Sequence, residues 1–310
     1  MSLPASGMSA HFTHALLAAR ESAGSQNYPP GTLYVVATPI GNLADISLRA
    51  LHVLQLADIV ACEDTRHTQS LLRAYGIDKT SAQLLAVHQH NEAQAVQTVL
   101  DQLRQGQRVA YVSDAGTPAI SDPGARLVAG VRQAQGAIVP LPGASSVITL
   151  LSVAGVTADA QQHGAFVFAG FLSSKVTERA TQVQTLASES RAVVLLEAPH
   201  RIEALAQALA VLGTRAVTVG RELTKQFEEI ATVAAEDLPD WLAHDPNRTR
   251  GEFALVLHPG LQEVTTGPDT RVLKLLLAEL PLKTAVKLAA DITGEPRNAL
   301  YEVALALKAH

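Results

Sequence analysis

The chain of 310 residues holds a single cysteine, Cys62, which excludes an internal disulfide framework and a cysteine-rich metal site. No apolar run reaches membrane-spanning length. The N-terminus lacks the sequence of basic segment, apolar run and small-residue cleavage site that marks an exported protein. A soluble, cytoplasmic protein is the expectation. Low-complexity tracts and short repeats are missing. Gly-x-Gly-x-x-Gly occurs nowhere, so the ordinary dinucleotide fingerprint is ruled out. Basic charge is also scarce: 24 Lys and Arg stand against 29 Asp and Glu, a net charge of −5. Nucleic-acid binders usually carry a basic surface, so such a role has to rest on a local cationic cluster. His88 and His90 alternate in His88-Gln-His-Asn-Glu92, but no third ligand stands at a workable spacing. No metal is expected there. Hydrogen bonding to a substrate, or capping of a helix over 91–104, accounts for that segment better.

What the chain does have is alternation. At 47% hydrophobic residues it can bury substantial cores, and its length suits two domains with a small third. Short β-favouring runs at 33–37, 58–62, 84–87, 109–112 and 137–139 alternate with helical segments. This is the pattern of βα units and a mainly parallel sheet. A linker over 155–164 leads to a second set at 165–169, 192–197, 216–220, 227–233 and 252–257, in which 227–233 reads as an antiparallel or edge strand. A second linker, 259–268, precedes three short helices at 270–280, 282–292 and 296–308. Their apolar faces (Ala285, Leu288, Ala289 and Ile292, then Leu300, Val303, Ala304 and Leu307) flank Gly294 and resemble a helix-turn-helix. A plain docking module gives the same pattern. The domains are thus expected at 31–158, 162–260 and 269–308, with 1–30 a disordered tail that holds at most a short helix near 12–20.

Three segments concentrate the glycine and proline of strand-end loops. Thr38-Pro-Ile-Gly-Asn-Leu43 breaks the first strand, and Asp45 and Ser47 offer N-caps to the next helix. Ser113-Asp-Ala-Gly-Thr-Pro118 follows the fourth, with Asp122 and Pro123 placed as N-cap and first helical residue. Pro140-Leu-Pro-Gly-Ala-Ser-Ser146 follows the fifth. Loops at the carboxyl ends of parallel strands are where open α/β sheets bind ligands. Small residues there let a ligand approach the backbone closely.

These loops, together with Glu63-Asp-Thr-Arg-His-Thr68, Glu197-Ala-Pro-His-Arg-Ile202, Arg221-Glu-Leu-Thr-Lys225, Leu280-Pro-Leu-Lys283 and Asn298-Ala-Leu-Tyr301, resemble the tetrapyrrole methylase family of S-adenosylmethionine enzymes. The resemblance spans about residues 31–308. Within the family it is to the branch acting on 16S ribosomal RNA. Relatives that methylate tetrapyrroles usually carry Gly-Asp-Pro where this chain has Ser113-Asp-Ala. The implied fold is two α/β domains with a cofactor cleft between them, plus the C-terminal helical module. The implied reaction is S-adenosylmethionine-dependent 2′-O-methylation of cytidine 1402 in the small ribosomal subunit, carried out by a homodimer.

Position by position, the resemblance places Pro39, Ile40, Gly41, Asp114, Thr117, Ser145, Ser146, Ala169 and Gly170 at the cofactor. Helix capping is the alternative for the two serines. Methyl transfer to a hydroxyl also requires a proton acceptor. Asp64, or Lys225 made neutral by burial, is the candidate. Arg66 and His67 on one strand end, and His200, Arg201 and Arg221 on two others, are candidate RNA contacts. For the Arg66 cluster a structural ion-pair network competes, and Thr65 is the candidate cap. Lys283, Lys287 and Arg297 would reach phosphates from the C-terminal module. The rivals are a small-molecule methylase of the same fold and a ligand-sensing nucleic-acid-binding regulator.

Overall fold

A computed structural model describes residues 12–88, 92–121, 124–156, 164–260 and 270–308. The chain divides into two compact units, Met1–Pro259 and Gly260–His310.

The first half of the larger unit holds five strands: β1 (Thr32–Val36), β2 (Ile59–Cys62), β3 (Leu84–Ala86), β4 (Val109–Val112) and β5 (Ala137–Leu141). They form one all-parallel sheet in the order β3-β2-β4-β1-β5. Helices cover both faces, as an all-parallel sheet requires. On one side lie α1 (Thr13–Ala23), α2 (Leu48–Leu56) and α3 (Thr65–Ala74), which bury Ala19, Leu51, Leu54, Leu72 and Tyr75 against Tyr34 and Val60. On the other lie α4 (Glu92–Arg104) and α5 (Ala125–Gln133), with Val99, Leu103, Leu127 and Val131 against Leu33 and Tyr111. The connection after β1 runs to one side of the sheet and that after β4 to the other. The crevice beside these two neighbours is therefore the topological switch point, where such sheets bind ligands.

Helix α6 (Ser146–Val153) then packs Val147 and Leu150 against the second sheet, beside Val194, Ala254 and Val256. This sheet runs β6 (Phe166–Gly170), β7 (Ala192–Glu197), β10 (Phe253–Leu257), β8 (Ala216–Arg221), β9 (Glu229–Ala234). Only the β6–β7 pair is parallel; β9 is the antiparallel edge strand expected from its mixed composition. Its other face is covered by α7 (Val176–Ala187), α8 (Ile202–Leu209) and α9 (Leu238–Ala243) through Val183, Leu205, Leu209, Leu238 and Leu242. The smaller unit packs α10 (Thr270–Glu279), α11 (Leu282–Thr293) and α12 (Arg297–Lys308) around Leu273, Val286, Ala289, Leu300 and Ala304, with Gly294 ending α11 in the left-handed conformation.

The sequence reading needs correction at several points. The short helix expected near 12–20 is present as α1, and the rest of the expected tail is ordered over 24–30 as well: α1 buries Ala19 and Ala23, Phe12 stacks edge-on against Tyr75 at 4.9 Å, and Tyr28 is buried. The cap of α3 is Asp64, not Thr65, and Gly124 occupies the cap position of α5. Ser47 does cap α2, while Asp45 lies in a short 3-10 turn capped by Asn42. Residues 1–11, His90, Asn91, Asp122, Pro123 and most of both linkers lie outside the described residues.

Candidate active site

The three loops at the carboxyl ends of β1, β4 and β5 are tied together by hydrogen bonds. Thr38 and Gly116 exchange backbone bonds, N–H to O at 2.9 Å and 3.0 Å. Thr38 Oγ1 donates to the Ser113 carbonyl at 3.2 Å, and Thr117 Oγ1 donates to the Ala144 carbonyl at 3.0 Å. Gly143 completes the arrangement, because a Cβ there would stand 2.8 Å from that of Ala37. Its smallness serves the packing of two loops. Gly41 is similar: a Cβ would strike Lys225 and Thr224 of the second half, whose Thr224 hydroxyl accepts the Asn42 N–H at 3.1 Å. Both glycines bring protein to protein, and Gly41 lets the two halves of the unit meet.

Between the halves lies a cavity of about 310 Å³. One wall is Ile40, Ala115, Gly116, Thr117, Ser145, Ser146 and Val147; the facing wall is Phe171, Leu196, Glu197, Ala198, Leu223, Glu252 and Phe253. Of the nine expected cofactor residues, Ile40, Thr117, Ser145 and Ser146 line it directly. Ser145 makes no capping bond with its side chain. The start of α6 therefore offers this cavity hydroxyls and the free N–H groups of a helix's first turn, which favour anionic or hydroxyl ligands. Pro39 is buried behind the wall, and Asp114 is exposed, accepting the Asp64 N–H at 3.3 Å. Ala169 and Gly170 immediately precede Phe171, and a bulge between Phe168 and Gly170 breaks the β6 register.

The charged residues behave differently. Asp64 is solvated and spends its Oδ1 on the N–H groups of Arg66 (2.8 Å) and His67 (3.3 Å). Those bonds hold its carboxyl below the usual carboxylate range, which makes it a weak proton acceptor. Lys225 is not neutral. Burial alone lowers the pKa of an amine, but Nζ sits 2.8 Å from Glu222 Oε1 and 2.9 Å from Glu252 Oε2, and the net shift is upward. The geometry thus gives Asp64 a capping role and Lys225 two carboxylate partners.

The expected RNA contacts divide. Arg221 is buried: Nε lies 3.3 Å from Glu229 Oε2, and Nη2 donates to the Phe227 carbonyl at 3.1 Å. Glu229 also holds Arg248 at 2.8 Å, and Arg248 stacks over Trp241, 4.1 Å from the ring centroid. Arg201 is turned inward, with Nε 3.0 Å from Glu197 Oε1 and Nη2 donating to the Leu172 carbonyl. These two guanidiniums hold the second sheet together and are not available to phosphates. His200, Arg66 and His67 are exposed, with Arg66 Nε 3.7 Å from Asp64 Oδ1. In the smaller unit Lys283 and Lys287 are exposed, one helical turn apart on α11, whereas Arg297 pairs with Asp291 at 3.0 Å.

Phe171, Glu252 and Phe253 on the cavity wall were not singled out from the sequence, while Glu197 and Leu223 lie in the strand-end motifs 197–202 and 221–225 but carried no assigned role. A lone aromatic after a strand-end glycine carries no periodic signal that would have singled it out.

Residues 32–239 match the family of tetrapyrrole (corrin/porphyrin) methylases, and residues 267–308 match the RsmI C-terminal HTH domain. The chain is 46% identical over 282 residues to ribosomal RNA small subunit methyltransferase I of Neisseria meningitidis serogroup B, covering 90% of this chain and 94% of that one. It is 47% identical to the protein of that name from Pseudomonas aeruginosa, covering 89% and 97%. Among solved structures, cobalt precorrin-4 methyltransferase superposes with a TM-score of 0.55 at 20% identity, over 74% of this chain and 98% of that chain. Uroporphyrin-III C-methyl transferase of Thermus thermophilus, complexed with S-adenosyl homocysteine, gives 0.51 at 16%, over 73% and 96%. By sequence over most of its length and by fold, the chain belongs to the tetrapyrrole methylase family.

Proposed function

We propose that the protein transfers a methyl group from S-adenosylmethionine to the ribose 2′-oxygen of cytidine 1402 in 16S rRNA, acting as a cytoplasmic homodimer on the small ribosomal subunit. One observation carries this reading. The relatives alike over nearly the entire chain, C-terminal module included, are small-subunit rRNA methyltransferases, whereas the tetrapyrrole enzymes share the fold at 20% identity or less.

The cavity suits the donor. Its walls are backbone, hydroxyl and small side chains on one side and apolar side chains with the carboxylates of Glu197 and Glu252 on the other, a mixture that suits a nucleoside with an amino-acid tail. Bound there, the sulfonium supplies an already reactive methyl. Ile40, Thr117, Ser145 and Ser146 are the proposed cradle, with Pro39, Gly41, Asp114, Ala169 and Gly170 in the loops that support it, and those hydrogen-bonded loops would set the angle of approach for the hydroxyl. Arg66, His67 and His200 near the strand ends, with Lys283 and Lys287 on α11, are the proposed phosphate contacts.

Incubation with isotopically labelled donor and small subunits, free 16S rRNA or a tetrapyrrole tests the reading. Label at a cytidine 2′-oxygen of 16S rRNA is the expected result. Label only on the tetrapyrrole makes the chain a small-molecule methylase. Label on neither RNA nor tetrapyrrole contradicts the proposal.

A further inference from the structure

Phe171 stands out on the cavity wall. It is an aromatic ring 51% exposed at the rim of a site whose other aromatic, Phe253, is 3% exposed. A single exposed apolar side chain is ordinary on a protein surface; Phe171 is set apart by its place on the wall of the cavity. The ring is also held in place with unusual care. Gly170 takes a φ of +63°, a left-handed conformation open to glycine, just after the bulge that ends β6. The next residue, Leu172, is buried, and its carbonyl accepts the Arg201 guanidinium. Arg201 is in turn anchored by Glu197, whose side chain is fully buried and whose Oε1 also accepts the Ala198 N–H at 2.9 Å. A largely buried ion pair between the end of β7 and the start of α8 thus fixes the backbone on the C-terminal side of an exposed ring.

We propose that Phe171 is the platform on which the target nucleobase of the RNA substrate stacks while its ribose is presented to the cavity. The inference rests on the methyl-transfer reading above. A ribose within folded RNA reaches an enclosed donor only when its nucleotide leaves the base stack, and the lost stacking has to be replaced. An aromatic ring supplies that replacement for any base, through its π-face. Half exposure at the rim suits a substrate that arrives after the donor has filled the interior. Arg201 and Glu197 are positioning residues for this ring.

The experiment compares Phe171→Ala, Phe171→Leu and Phe171→Trp in the full chain, with small ribosomal subunits carrying unmethylated 16S rRNA. KM for the subunit and kcat are measured alongside calorimetric affinity for S-adenosylhomocysteine. Phe171→Ala and Phe171→Leu should raise KM about tenfold or more, with cofactor affinity within about twofold of wild type. Phe171→Trp should stay near wild type. Leucine matching wild type overturns the proposal, since an apolar contact alone then suffices. Loss of cofactor affinity in Phe171→Ala with an unchanged subunit KM also overturns it, and makes the ring a cofactor contact. Absence of transfer by the wild-type protein would fall on the methyl-transfer reading, not on the ring.

Discussion

The two sheets of the larger unit end in opposite ways. The loops after β1, β4 and β5 of the first carry no basic residue, and the charge at its strand ends gathers after β2, where Arg66 lies 3.7 Å from Asp64. Thr38, Gly116, Thr117 and Ala144 bind one another through backbone and hydroxyl groups, leaving small side chains around the cavity. The strand ends of the second sheet are dense with charge, yet Arg201, Arg221, Lys225 and Arg248 each lie against a carboxylate. The first builds a cradle; the second builds a brace. A cluster of cations at strand ends is therefore not by itself a phosphate site. What counts is which cations remain after the internal pairs are made.

Removing a brace residue should produce the largest effect. Arg221→Ala leaves Glu229 partly buried with one partner fewer, and breaking such a pair costs about 3 kcal/mol. Denaturant titration should register that loss while RNA affinity per folded molecule stays unchanged. Weakened RNA binding with full stability would return Arg221 to the interface. The cradle should respond differently. Gly143→Val drives side-chain atoms into Ala37, and overpacking of this kind costs about 1–3 kcal/mol. Because it separates the loops after β1 and β5, calorimetric affinity for S-adenosylmethionine should fall along with stability. A variant that loses stability and keeps wild-type affinity would show the loops to be independent.

The brace also sets a pH dependence. Burial raises the Glu222 pKa, but the Lys225 ammonium and the Glu252 N–H outweigh it and leave it below 4.5. Its stabilising contribution is present above about pH 4.5 and is lost as pH falls through the depressed folded value. Lys225, raised above 10.5, contributes fully below that pH and loses its share as pH climbs through the raised value. Lys225→Met should flatten both limbs of a stability-versus-pH curve, and limbs that remain unchanged would place the titration elsewhere. The smallest effect is expected of Asp64→Asn. Asparagine also caps helices well, so a residue that is a cap and not a base should leave kcat within about threefold of wild type. A fall of several orders of magnitude would restore Asp64 as the proton acceptor.

The same contrast decides how much of the molecule could be read from sequence. The ten strands and the three C-terminal helices were visible because each rests on local periodicity, and the edge character of β9 was visible in its mixed composition. Helix α1 was nearly missed because its buried face is small: it relies on Ala19 and Ala23, which contrast weakly with their neighbours. Four cavity residues followed from the glycine-proline loops and the family resemblance. The fate of the charges did not. Lys225 finds Glu252 across 27 residues, and Arg221 meets Glu229 only once β8 and β9 pair. Sequence spacing shows which charges exist; the sheet register decides which of them cancel.

The proposed ligand of this cavity is held by the first sheet's loops against the second sheet's wall. Amide hydrogen exchange of the full chain, with and without S-adenosylhomocysteine, tests it most directly. The ligand should slow exchange at Gly116 and Thr117, at the first turn of α6 from Ser146, and around Phe171. Exchange in Gly260–His310 should be unaltered. Protection confined to Gly260–His310, or absent from both walls of the cavity, would place the ligand elsewhere.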